Sequence, residues 1–126
     1  KSGPNVLGVE ALQGDDGCTG VKVNTADGYA DYLFSATDMQ AHHPSKRVSF
    51  CGGLGLIREK EGQIQLMYLG CGRSLKKGNF VLESDHDVYA AIYMQHGVWY
   101  YSATGPVRVK IGKETKELNE GYNQKL

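Results

Sequence analysis

The stretch VYAAIYMQHGVWYYSA, residues 88–103, holds two apolar runs hinged on a His-Gly pair. Gly97, and less readily His96, takes the positive φ that a two-residue hairpin turn requires, so the pair fixes the register around it. Gln95 then faces Val98, Met94 faces Trp99, Tyr93 faces Tyr100 and Ile92 faces Tyr101. Side chains alternate across a sheet. One face carries Ala90, Ile92, Met94, Trp99 and Tyr101; the other carries Tyr89, Ala91, Tyr93, Val98 and Tyr100. The first is the more apolar and is assigned to the core, where Trp99 and Tyr101 fill volume. The second sets Tyr89, Tyr93 and Tyr100 in a row on the outside of the sheet. Such a row stacks on sugar rings, braces its own hairpin, or packs beneath another domain or subunit.

The same punctuation runs through the chain. Seventeen glycines and three prolines separate short runs rich in Val, Ile, Leu, Tyr and Phe. No window of about 11 residues or more carries helical periodicity, whereas alternation at period two recurs between turn signals. The runs NVLGVEAL, GVKVN, ADYLFSA, VSFCGGLGLI, QIQLMYLG, NFVLES, VYAAIYM, VWYYSA, PVRVKI and ETKEL predict an all-β fold. About ten short-linked strands suit a two-layer antiparallel β-sandwich. TADG, the charged tip REKEG, the turn-rich GRSLKKG, the tip DHD and the Gly112-Lys113 pair supply connections. MQAHHPSKR is the longest non-periodic stretch and reads as a loop, and the tail NEGYNQKL is expected to fray.

The totals narrow the function. The chain of 126 residues suffices for one domain, spanning residues 1–126. Fourteen basic residues balance fourteen acidic ones, leaving no excess positive charge for a phosphate backbone, so nucleic acid is not an expected partner. No apolar run reaches the roughly 20 residues of a membrane-spanning helix. KSGPNVLG lacks the apolar core of a signal peptide, and Lys1 is expected to mark a cut-out domain or a processed chain. Cys18, Cys51 and Cys71 form an odd set without a CxxC pair. One disulfide with one thiol left over, or three buried thiols, both satisfy it.

Sites of chemistry are few. His42 and His43 in AHHPS sit on a loop expected to be exposed, but neighbouring extended residues point apart, and no Cys or carboxylate stands at ligand spacing. ESDHDV groups Glu83, Asp85, His86 and Asp87. Carboxylates around an imidazole hold calcium or raise its pKa, yet Asp favours turns for its own local bonds, and the turn reading is preferred. The same holds for GDDG, residues 14–17. CGGLG lacks the strand-to-helix setting of a phosphate cradle, and there is no G-x-S-x-G elbow. A His-Tyr pair can serve an elimination reaction, but with four His and eight Tyr such a pair arises by chance. No catalytic residue, metal or cofactor is assigned.

VLGVEAL, GVKVNTADGYADYLFSA and FCGGLGLIREKEGQIQLMYLGCGRSLKKGNFVLES, with Gly72, Leu75 and Gly78 in a G-x-x-L-x-x-G connection, resemble the C-terminal β region of heparinase II/III-like polysaccharide lyases. The resemblance covers nearly the whole chain and consists of glycine and strand spacings. Proteins of that family join a helical toroid to β-sandwich domains and cleave acidic polysaccharides by β-elimination. Their tyrosine and histidine come mainly from the toroid and the central β domain. The resemblance implies a non-catalytic terminal module of a larger, secreted or periplasmic bacterial enzyme, with that enzyme's catalytic domains as its partners. Two other readings stand beside it. One is a carbohydrate-binding module using Tyr89, Tyr93 and Tyr100, flanked by Arg108 and Lys110 on the next strand. The other is a small independent enzyme using His86 or His42 with a tyrosine.

Overall fold

A computed structural model describes residues 6–12, 17–45 and 47–126. Among them there is no helix. Ten strands follow one another: β1 (Val6–Leu12), β2 (Cys18–Thr25), β3 (Tyr29–Ala36), β4 (Val48–Lys60), β5 (Gln63–Lys77), β6 (Phe80–Gln95), β7 (Val98–Ala103), β8 (Val107–Ile111), β9 (Glu114–Leu118) and β10 (Gly121–Lys125). All pairings are antiparallel, and β1 to β7 pair in sequence, with β10 beyond β7. β8 instead pairs with the first half of β6 and with β9.

The sheet folds over on itself to make the two layers of a β-sandwich. β4, β5 and β6 are long enough to contribute to both. Their bend falls where the register slips, at Cys51/Gly52 on β4 and around Gly72 on β5. Gly52 and Gly72 face each other there. A methyl group on Gly72 would lie 2.8 Å from the Gly52 Cα and 2.8 Å from the Cys51 carbonyl oxygen. Only residues without a Cβ let the two backbones approach so closely.

Layer one holds β1, β2, β3, the later half of β4, the first half of β5, the later half of β6, β7 and β10. Layer two holds the remaining halves with β8 and β9. Ile57, Met67, Leu69 and Ile92 of layer one meet Phe50, Leu75 and Leu82 of layer two, all with 0 % exposure. Rings join the layers: Phe34 to Phe50 with centroids 6.0 Å apart, and Phe80 to Trp99 at 5.9 Å. The 88–103 hairpin turns at His96 and Gly97 with φ of 52° and 78°, and all four expected pairs form.

Four local expectations are corrected. DHD is no hairpin tip: Asp85, His86 and Asp87 are exposed residues inside β6, where the strand changes partner from β8 to β7. GRSLKK is not a connection but the second half of β5. The tail does not fray, for residues 121–125 form β10 against β7. His42 is not on an exposed face: its amide and carbonyl bridge to Phe50 at 2.7 and 2.8 Å, and it is buried. Residues 14–16 of GDDG lie outside the described residues.

Candidate functional site

The two outer faces of the sandwich differ in chemistry, and the registers define both. On layer one, Ala11, Val21, Leu33, Leu56, Tyr68, Ala91 and Ser102 follow one another across seven strands. The neighbouring row runs Val9, Val23, Asp31, Arg58, Leu66, Tyr93, Tyr100 and Lys125. Leu54, beside Gly70, extends the face on the other side and is 44 % exposed. Val21, Leu33, Leu56, Leu66 and Tyr68 are half-buried, so each presents apolar surface to water.

On layer two the outer rows read Cys51, Ser74, Glu83, Arg108, Glu117 and Ser49, Lys76, Val81, Lys110, Thr115. This face is polar and ion-paired. Glu83 accepts a bond from Arg108 Nη1 at 2.9 Å and lies 3.5 Å from Lys76 Nζ. Bonding to Glu83 raises the Arg108 pKa above its ordinary value. Such exposed pairs stabilise little but keep a face solvated.

The expected tyrosine row is on layer one's outer face. Tyr93 and Tyr100 stack with centroids 5.9 Å apart and planes 17° from parallel. The Tyr93 hydroxyl bonds to Asn123 Oδ1 on β10, and the Asn123 amide donates to Ser102 Oγ at 2.9 Å. Tyr89 is separated from that pair by Ala91 and Ser102 and is 54 % exposed. Arg108 and Lys110 do not flank it: β8 pairs with β6 and β9 rather than β7, so both side chains belong to the opposite layer.

Apart from Lys125 at the β10 edge, the charges these rows carry among the described residues are Asp31 and Arg58, and they pair with each other. Arg58 Nε donates to Asp31 Oδ1 at 2.7 Å, and Nη2 to Oδ2 at 2.9 Å. Two parallel bonds of this kind are strong and directional. The bond to Asp31 pushes the Arg58 pKa up, and the guanidinium also lies 5.0 Å from the Tyr29 ring centroid. A charge neutralised in place leaves the face compatible with burial.

The candidate metal and histidine positions separate. His42 Nε2 lies 2.6 Å from Asp38 Oδ1, while His43 Nδ1 lies 3.3 Å from the Val48 carbonyl. Asp87 accepts from Arg73 Nε at 2.9 Å. Asp85 and His86 line a cavity of about 280 Å³ with Glu83, Arg108 and Glu117, and no tyrosine borders it. Among the described residues no group of three or more His, Cys, Asp or Glu is placed to hold a metal. Burial raises the Cys51 thiol pKa, and its Sγ donates to the Met39 carbonyl at 3.2 Å.

Sequence reasoning found the aromatic end of the apolar face and missed the aliphatic part on β2 to β5. The signal was present: QIQLMYLG is apolar on consecutive residues, which in a strand means both faces are apolar.

Residues 6–94 match the family described as the C-terminal domain of endo-acting ulvan lyase. No curated protein and no solved structure matches the chain.

Proposed function

We propose, from the premise that this chain belongs to the endo-acting ulvan lyase C-terminal domain family, that it docks its apolar sheet face against the catalytic part of a polysaccharide lyase and stabilises it. The carrying observation is the contrast between the two outer faces. Layer two is what a solvated face requires. Layer one holds Leu33, Leu54, Leu56, Leu66 and Tyr68 side by side, and monomeric proteins rarely leave such a patch uncovered. Burying one Leu or Tyr side chain contributes about 1.5–3 kcal/mol, so a few half-covered ones suffice for a contact between domains of one chain.

In this reading residues 1–126 are one module of a larger extracytoplasmic enzyme, and a heparinase II/III-like parent offers further domains for the face to meet. The stacking of Tyr93 on Tyr100 favours docking over sugar binding at this face, because each ring already has one side occupied. Tyr89 is the remaining contact candidate there. On layer two, Arg108 and Lys110 are then solubilising residues rather than part of the contact.

Hydroxyl-radical footprinting of the isolated chain and of its parent enzyme tests this. Tyr68 and Leu56 should be modified in the isolated chain and protected in the parent, while Lys110 and Arg108 react alike in both. Equal modification of Tyr68 in the two forms overturns the docking. The isolated chain should also release no unsaturated sugar product from acidic polysaccharides, and turnover by it alone would make it an enzyme instead.

A further inference from the structure

The sandwich is open along one side. Among the described residues β9 pairs only with β8, and β10 only with β7. These two strands edge opposite layers without bonding to each other. Between the layers on this side lies a cavity of about 320 Å³ lined by Trp99, Val109, Ile111, Glu114, Lys116 and Leu126, together with Gly97 of the hairpin turn and Val98 at the start of β7. Its volume is at the bottom of the range for small-molecule sites, room for one ring rather than several.

The lining has three chemistries in one place. Trp99 supplies an aromatic surface, with Phe80 tilted at 50° beside it. Val109 and Ile111 make an apolar floor. Glu114 and Lys116 face Ile111 and Val109 in register, so they share the inner side of β9 with those floor residues. Both are exposed. Among the described residues neither is in an ion pair with another side chain.

We propose that this slot is a binding site for a single anionic pyranose ring, a uronate residue of a polysaccharide. The C–H face of the sugar lies on Trp99, its carboxylate meets the Lys116 ammonium in a charge-assisted bond, and its hydroxyls donate to Glu114. The choice of an acidic sugar rests on the reading of the chain as a polysaccharide lyase domain. None of the slot's lining residues belongs to the apolar rows of the docking face, so docking there leaves the slot open. Inward charges on an edge strand also discourage strand pairing, and that simpler role is the competitor to be tested.

Trp99 is the only tryptophan of the chain, so its fluorescence reports on the slot directly. Titration of the protein with sodium glucuronate at low salt should change the emission saturably, with half-saturation in the millimolar range. Glucose, lacking the carboxylate, should act about tenfold more weakly, the usual worth of one bond to a charged group. Lys116→Gln, at an exposed position that leaves the fold intact, should make the two sugars equal. An unchanged emission with glucuronate overturns the proposal, as does an equal response to glucose in the unaltered protein. A Lys116→Gln variant that keeps the preference does the same and leaves only the edge-protecting role. None of these outcomes alters the footprint of Tyr68 in the parent enzyme, so the two readings fail independently.

Discussion

At the scale of single residues, the bend is the most demanding part of the chain. A Cβ on Gly72 would stand 2.6 Å from Leu69 Cδ1 and against two backbone atoms of the facing strand. A side chain can turn away, but a carbonyl in a ladder cannot. Gly72→Ala should therefore destabilise the chain by about 1–3 kcal/mol, as overpacking does, read as a lower midpoint in urea. Gly8→Ala, with nothing within 4 Å, should stay within about 0.5 kcal/mol of the native chain. A second residue-level test concerns pH. His42 and the Gln40 amide hold the Asp38 carboxyl below its ordinary value. The unfolded carboxyl titrates at about 3.9, so the stability this bond lends is complete above that pH and disappears as pH falls through the lower folded value. Asp38→Asn should lower the melting temperature at neutral pH, and the gap should close on acidification. A gap independent of pH would assign the loss to something other than this ionisation.

At the scale of elements, what could be read from the sequence depended on how local the deciding interaction is. The β6–β7 hairpin was legible because two adjacent residues in the left-handed region set its register. The bend was not. Glycine and Asp clusters in GCGRS and SDHD carry the composition of turns, and only pairing with distant strands shows that the chain runs on through them. The ten-strand total survives two errors of opposite sign: NFVLES and VYAAIYM are one strand, and the tail is a strand of its own. β10 has no apolar alternation, so nothing within GYNQK announces it. Its stability comes from β7, from the Tyr101 hydroxyl donating to the Asn119 carbonyl at 3.0 Å, and from Asn123. Asn123 sits at φ 52° inside the register slip of that pair. Asn123→Ala removes the Oδ1 that accepts from the Tyr93 hydroxyl and, at 3.4 Å, from Ser102 Oγ, while the backbone amide still donates to Ser102 Oγ, and should cost about 1 kcal/mol. Hydrogen exchange checks the element itself: the Leu126 amide, 2.9 Å from the Trp99 carbonyl, should be protected in the native chain and faster in the variant. Exchange at the rate of a free peptide in both would restore the frayed tail.

At the scale of the whole molecule, the apolar outer face was only partly visible, because its rows cross seven strands and exist only once every register is known. One row alone takes residues from Ala11 to Ser102. The proposed docking predicts a difference between the domain alone and the domain within a larger lyase that no single side chain explains. Leu56 lies at the centre of that row, between Leu33 and Tyr68, and is half-exposed in the chain on its own. Leu56→Lys should leave the melting temperature of the isolated chain nearly unchanged, since a lysine stem covers the same neighbours while its ammonium reaches water. In the parent enzyme the same charge would be driven into a dry contact without a partner, which costs several kcal/mol. The C-terminal domain should then melt as a separate, earlier transition in calorimetry and lose the protection of Tyr68 from hydroxyl radicals. Thr115→Lys, an equal change on the polar layer, should do neither. If Leu56→Lys destabilises the isolated chain as much as the parent, the residue belongs to the domain's own packing and the face has no docking role. If neither protein responds, the face is solvated in both, and the contact with the catalytic part must lie elsewhere on the sandwich.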